Sequence, residues 1–262
     1  MIKVRVIQTP SLKDYHAVAN AMDGYFMKYG IMLPEEIHDR IVREFDRNSH
    51  AFSNFESLQF AFFVDGVSRA CTHQLVRTRI GAGYSQESMR FNVIESDRLI
   101  KIPGTFRTLL SEEDLKRVME NVAESRRLYR KALESGIPAQ DARYILPEGI
   151  TTFIYLKYTF PALLNVMKQR LCKLVQWEIR SVFRGIREAL TDYSEACVKE
   201  EGDILKLFIE QMRLPCGEGE FTEKCNRTDK MFPSCGSEAT DRIWSNDVNI
   251  NHWGVTNENF NL

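Results

Sequence analysis

Hydrophobic and polar residues change period several times along the chain, and those changes mark the expected elements. Apolar and polar residues alternate over 2–8, the pattern of a short strand. Ser11 opens an amphipathic stretch that ends at Gly30, a helix stop. Pro34 starts a second helix, PEEIHDRIVREFD, with its paired glutamates at the positive N-terminal end. The run LQFAFFV (58–64) reads as a buried strand closed by a turn at Asp65-Gly66. Ser68 caps the helix that follows, which carries Val76 and Arg77 toward a glycine-containing loop, Ile80 to Tyr84. Ser111 and Asp114 give a capping-box-like start to a long charged helix that stops near Gly136, and Pro138 opens a short helix through DARYIL. TTFIYLKYT (151–159) is rich in β-branched and aromatic residues and predicts a strand. Pro161 then occupies a first-turn position, and apolar residues at helical spacing continue to about Tyr193. From about residue 200 the pattern fades into Gly, Cys and Asn, an extended tail that is loosely ordered or laid across a neighbouring subunit. These elements predict an α/β (α+β) protein, a mixed sheet core under a helix-rich shell. Residues 1–200 form the main domain and 201–262 a C-terminal extension.

A chain of 262 residues, 44% hydrophobic and 27% charged, buries a core without disulfides or a structural metal. The formal net charge of −1 gives no general field for nucleic acid or a membrane surface, but leaves room for a small anionic substrate. The N-terminus lacks the pattern of a signal peptide, and no apolar run is long enough to span a bilayer. The six cysteines include no CxxC pair, so the expected setting is cytoplasmic, with reduced thiols. Cys216, Cys225, Cys235 and His252 match no usual zinc spacing, and no metal is expected.

The chemistry concentrates in residues 68–91, SRACTHQLVRTRIGAGYSQESMRF, which set Arg77, Arg79 and Arg90 around Gly81, Gly83, Ser85 and Ser88. Guanidinium forks bind phosphate oxygens in pairs, and small residues let backbone N–H groups approach the same anion. A solvated basic loop is the alternative. Arg143 in ARYILP is a second centre. Arg170 in KQRLCKLVQWEIR is a third, with Val166, Met167 and Leu174 at helical spacing. Arg170 either holds an anion or a carbonyl, or pairs with a carboxylate such as Glu178.

HQLVRTR followed by SQESMRF resembles the Arg-His-Arg, seven-residue spacer, Ser motif of the flavin-dependent thymidylate synthases. In the same order, FES-x-x-FAFFVDGVSRA, ESGIP-x-x-x-AR-x-x-LP, the TT-aromatic strand and R-x5-QWEI are also similar to that family. The resemblance covers about residues 50 to 195. It implies a nucleotide site of Gln74, Arg77, Gln86, Glu87, Ser88, Met89, Arg90, Arg143 and Arg170. Ser88 and its neighbours would hold the phosphate, with Arg143 assisting from another subunit. Arg170 would be the catalytic residue, stabilising the uracil anion left when N3 is deprotonated, which pushes electron density to C5. The implied flavin contacts are Ser53, Arg77, Thr78, Arg79, Gln86, Thr159 and Asn165, with His50 nearby. The implied reaction is C5-methylation of dUMP in a homotetramer with active sites shared between subunits. It would draw on 5,10-methylenetetrahydrofolate, FAD and NADPH.

The chain departs from that pattern on one side. The central His is Thr78, the spacer has eight residues, the loop Glu is Gln86, the His of FEH is Ser57, and Asn-x-Arg corresponds to Thr159 and Pro161. Two readings follow: flavin bound in an altered way, or other chemistry on the uracil site. The second includes methylation of UMP or dCMP, hydroxymethylation, or nucleotide binding without turnover.

Overall fold

The computed structural model describes residues 2–24, 34–46, 50–94, 98–172 and 175–213, with backbone only at 23–24, 34, 46 and 50–53. β1 (Lys3–Gln8) pairs with β2 (Gln59–Ser68), β2 with β4 (Thr151–Thr159), and β4 with β3 (Ala82–Gln86). Every pairing is antiparallel, in the order β1-β2-β4-β3. In β4, Ile154, Leu156 and Tyr158 are buried while Phe153, Tyr155 and Lys157 between them are half-exposed. That period of two turns one face of the sheet to the core. The helices are α1 (Leu12–Gly24), α2 (Pro34–Asp46), α3 (Arg69–Leu75), α4 (Gly104–Leu109), α5 (Glu112–Glu134), α6 (Ala139–Ala142), α7 (Phe160–Arg170), α8 (Trp177–Ala196) and α9 (Lys199–Gln211). The expected mixed α/β class is found.

Four local expectations are corrected. Asp65-Gly66 does not close a turn. β2 runs on to Ser68, and Gly66, at φ 74, takes up a bulge where the register with β4 shifts between Asp65 and Val67. The expected loop at Ile80 to Tyr84 is strand from Ala82 onward, because the backbone of β3 finds partners on β4 from Tyr158 to Ile154. The helical stretch expected from Pro161 to Tyr193 is broken between Arg170 and Trp177, where Gln176 caps α8 by accepting the Ile179 N–H at 3.0 Å. The tail expected from residue 200 begins as α9. The amphipathic stretch expected to run to Gly30 is helical to Gly24, and its end lies outside the described residues, as does the chain beyond 213.

α9 belongs to the main core. Phe208 packs against Phe160, Tyr15, Phe55 and Phe45 at centroid separations of 4.6, 5.3, 5.4 and 5.2 Å. Stacked and edge-on ring contacts of this kind add to the burial of the rings themselves. Gly202 lies so close to the Ser194 carbonyl of α8 that a side chain there has no room. A second cluster, Met89, Ile94, Ile100, Val122, Tyr129, Ala132, Ala142 and Ile150, packs α5 against the segment after β3. The Tyr129 hydroxyl accepts the Ile94 N–H at 3.0 Å and fixes that segment from beneath.

Phe208→Ala tests whether the region beyond residue 200 stabilises the whole domain. It is expected to cost about 3–5 kcal/mol in urea unfolding, in a single transition. A loss near zero would make α9 an appendage.

Candidate functional site

The site is built outward from the junction of β2 and α3. Ser68 is the N-cap of α3, its hydroxyl oxygen accepting the Cys71 N–H at 3.1 Å. The same hydroxyl donates to Glu178 Oε2, and the Ser68 N–H donates to Glu178 Oε1 at 2.8 Å. Lys101 Nζ lies 2.7 Å from that Oε1 and 5.7 Å from the centre of the Trp177 ring. Glu178 is 1% exposed and Lys101 7%, so this is a buried ion pair in which both carboxylate oxygens accept hydrogen bonds. The alternative partner for Arg170 is thereby excluded: Glu178 is committed to Lys101 and Ser68. Among the described residues Arg170 has no acidic partner, and it is half-buried at the C-terminal end of α7. Its positive charge reaches Tyr84, Tyr158 and Cys71.

The residues expected to bind ligand fall into two groups at opposite ends of β3. At its far end lie Glu87 to Arg90. Arg69, at the start of α3, donates to the Glu87 carbonyl at 3.2 Å. Arg90 Nε donates to Gln140 Oε1 at 3.1 Å, and Arg143 Nε to the Gln140 carbonyl at 3.0 Å. Gln140 therefore draws Arg90 and Arg143 together within one chain. Burial, and then repulsion from Arg143, lower the pKa of the Arg69 guanidinium, while Glu87 acts the other way. Ser88 turns its hydroxyl to the Arg90 N–H at 3.3 Å. Glu87, expected among the substrate contacts, instead points its carboxylate inward, to Arg98 at 2.9 Å and the Thr152 hydroxyl at 3.1 Å. Met89 is likewise buried, in the second cluster, so its backbone is what it offers.

At the near end lies the loop from Arg77 to Gly81. Arg77 and Arg79 are exposed and have no acidic partner among the described residues. Gly81, at φ 66, accepts the Thr159 N–H at 2.8 Å. A Cβ on Gly81 would sit 2.6 Å from Thr159 Oγ1 and 2.8 Å from Ala162 Cβ, so only glycine seats the loop against the start of α7. Gln74 is half-buried at the end of α3, and Gln86 donates its side-chain N–H to Thr72 at 3.0 Å. Asn165 is exposed on α7 and accepts from Gln169 at 3.2 Å. Ser53 and His50 belong to the 3-10 segment His50–Ser57, and their side chains lie outside the described ones. The donors at this end suit a diphosphate: two guanidinium groups one residue apart, free of carboxylates, on a loop that approaches closely through glycine.

Sequence reasoning missed Arg69, Lys101, Tyr84 and Gln140. Arg69 was visible in the quoted SRA segment, one residue after the cap. Lys101 and Glu178 are 77 positions apart, and no local pattern announces their pairing. Among the described residues no group of three or more His, Cys, Asp or Glu side chains is placed to hold a metal, and no helix is long and apolar enough to cross a membrane. The Cys216, Cys225, Cys235 and His252 set lies outside the described residues.

The architecture is an antiparallel sheet flanked by helices, with arginines grouped at both ends of one edge strand. Residues 13–193 match the family model described as thymidylate synthase complementing protein, and the chain belongs to that family, the flavin-dependent thymidylate synthases. It is 30% identical over 256 residues to the flavin-dependent thymidylate synthase of Pyrococcus horikoshii, covering 94% of this chain and 98% of that one. To the Pyrococcus abyssi protein of the same name it is 36% identical over 144 residues, 55% of this chain. That match spans 59% of the relative's length. The fold is similar to the crystal structure of thymidylate synthase X from Helicobacter pylori, solved with FAD and dUMP. The TM-score is 0.56 and the identity 18%, over 80% of this chain and 100% of that one.

The Lys101–Glu178 pair is testable by unfolding. Glu178→Gln leaves the Lys101 ammonium buried without its counter-charge and is expected to cost about 3–5 kcal/mol. The Lys101→Met/Glu178→Gln double variant should recover most of that loss. Equal losses in the two proteins would show that the pair is not what holds the junction.

Proposed function

We propose that the chain methylates C5 of dUMP to give dTMP, with methylenetetrahydrofolate as the carbon donor, FAD as the flavin and NADPH as its reductant. The observation that carries this reading is Arg170, a half-buried guanidinium with no acidic partner among the described residues. A permanent positive charge held there, partly out of water, stabilises negative charge on a uracil ring more strongly than it would in bulk solvent. Ionisation at uracil N3 then raises the electron density at C5, and no enzyme nucleophile is needed. When bound, the reduced flavin supplies the hydride that completes the methyl group.

Arg69, Ser88, Arg90 and Arg143 bind the nucleotide phosphate, Gln74 and Arg77 orient the nucleotide, and Arg77 and Arg79 take the flavin diphosphate. Six intervals of about 3.4 Å, from Gly81 along β3 to Glu87, separate the two groups by roughly 20 Å. Two groups of one chain therefore serve different active sites. Ser88, Arg90 and Arg143 of one subunit meet Gln74, Arg77 and Arg170 of another, in a homotetramer. The exposure of Ile80, Phe91 and Tyr144, at 91%, 76% and 83%, supports this, because apolar side chains beside both groups are then covered by a neighbour.

The visible spectrum of the purified protein, recorded with and without FAD and alongside dUMP titration, tests the reading. Bound flavin together with dUMP binding is the expected result. Nucleotide binding without flavin would move the search to other chemistry on the uracil site. Arg170→Ala is expected to abolish dTMP formation without loss of folding, and unchanged turnover would remove the C5-activation role. Arg90→Ala should weaken dUMP binding by about 1.5–3 kcal/mol, measured by calorimetry.

A further inference from the structure

Resting on the proposed dUMP and flavin chemistry, we infer that Tyr84 is the positioning residue for the arginines of the Arg77–Arg79 segment. The chain leaves α3 loosely: the Arg77 N–H reaches the Gln74 carbonyl at 3.3 Å and the Thr78 N–H the Leu75 carbonyl at 3.4 Å. The return to β3 is equally long, from the Ala82 N–H to the Arg79 carbonyl at 3.4 Å. Against these, the Tyr84 hydroxyl donates to the Thr78 carbonyl at 2.5 Å. Thr78 lies between the two exposed arginines, so that one contact fixes the peptide from which both guanidinium groups extend. Gly81, seated on Thr159, anchors the tip of the loop beyond them.

Tyr84 is itself held firmly. It stands on β3 opposite Leu156, and its ring meets that of Tyr158 edge-on, with centroids 6.0 Å apart. The two hydroxyls are 3.3 Å apart. A phenol has one proton to give. Tyr84 spends its proton on Thr78, so Tyr158, 1% exposed, is the donor to Tyr84. Burial raises the pKa of both phenols, so both stay protonated at neutral pH and the chain of donors persists. The charge of Arg170, the residue assigned to the uracil ring, acts on the same two phenols against the effect of burial. Fixing the backbone before a ligand arrives lowers the ordering cost of binding, which is where a positioning residue acts.

Tyr84→Phe keeps the ring and removes the hydroxyl. Flavin fluorescence quenching on the full chain should give an FAD Kd about five- to tenfold weaker than wild type, with an unchanged fold by circular dichroism. In Arg77→Ala/Arg79→Ala, which has already lost both groups being positioned, adding Tyr84→Phe should change the Kd less than twofold. A merely destabilising substitution would multiply the two losses instead. Tyr158→Phe, which leaves the Tyr84–Thr78 contact in place, should stay within twofold of wild type. Wild-type FAD affinity in Tyr84→Phe, multiplicative losses, or an equal loss in Tyr158→Phe would each overturn the inference while leaving the functional reading intact. If the wild-type protein binds neither FAD nor dUMP, the functional reading fails first and the inference falls with it.

Discussion

A carboxylate shut away from water needs donors on every side, and Glu178 finds them on two distant segments of the chain. The backbone and hydroxyl of Ser68 come from the end of β2, and the ammonium of Lys101 from the segment leading to α4. Ionised carboxylates only accept, whereas a hydroxyl accepts and donates at once. Ser68 can therefore satisfy Glu178 and still receive the Cys71 N–H, so the start of α3 is set by the same carboxylate that begins α8. Everything the site needs from α3 follows from that. Arg69 leaves its first turn toward Glu87, Gln74 lies in its last, and Arg77 follows just beyond its end.

With α3 fixed, β3 acts as a spacer. Its hydrogen bonds to β4 hold Glu87 to Arg90 at one end and the Thr78 to Gly81 turn at the other. At the first end burial, and then repulsion from Arg143, lower the Arg69 pKa. Like charges held near one another store an unfavourable energy that an anion removes on arrival. Glu87, turned inward to Arg98 and Thr152, offsets part of that repulsion and leaves the rest for an incoming anion to neutralise. A phosphate monoester has the charge to do so.

The elements with strong local signals were legible in the sequence. Thr151–Thr159 reads as a strand from its β-branched and aromatic residues, and Ser68 and Ser111 cap the helices that follow them. The errors share one cause: hydrogen-bond partners far away in sequence. β3 looks like a glycine loop until β4, some 70 residues on, supplies the other half of its ladder. Gly66 looks like a turn until β4, paired with Asp65 before it and Val67 after it, takes it up as a bulge. α9 looks like the start of a tail because its apolar residues gain meaning only against Tyr15, Phe45, Phe55 and Phe160. In the site, the motifs gave the arginines, but not Gln140 between Arg90 and Arg143, nor the inward turn of Glu87.

The departures from the family pattern are physically coupled. Thr78 replaces a histidine, yet the contact that fixes this position runs through its backbone carbonyl, which any side chain leaves available to Tyr84. The loop beyond it carries Gly81 against Thr159 Oγ1 and Ala162 Cβ with no space for even a methyl group. Larger side chains reaching back from the start of α7 would meet that loop, so a threonine at 159 and an alanine at 162 are what its present seat allows. Pro161, in the first turn of α7, adds no donor of its own. The start of α7 makes a close contact with the loop, and Arg77 and Arg79 are exposed cations on that loop. A diphosphate bound at this end must take its counter-charge from those two side chains, and their placement rests on the peptide between them.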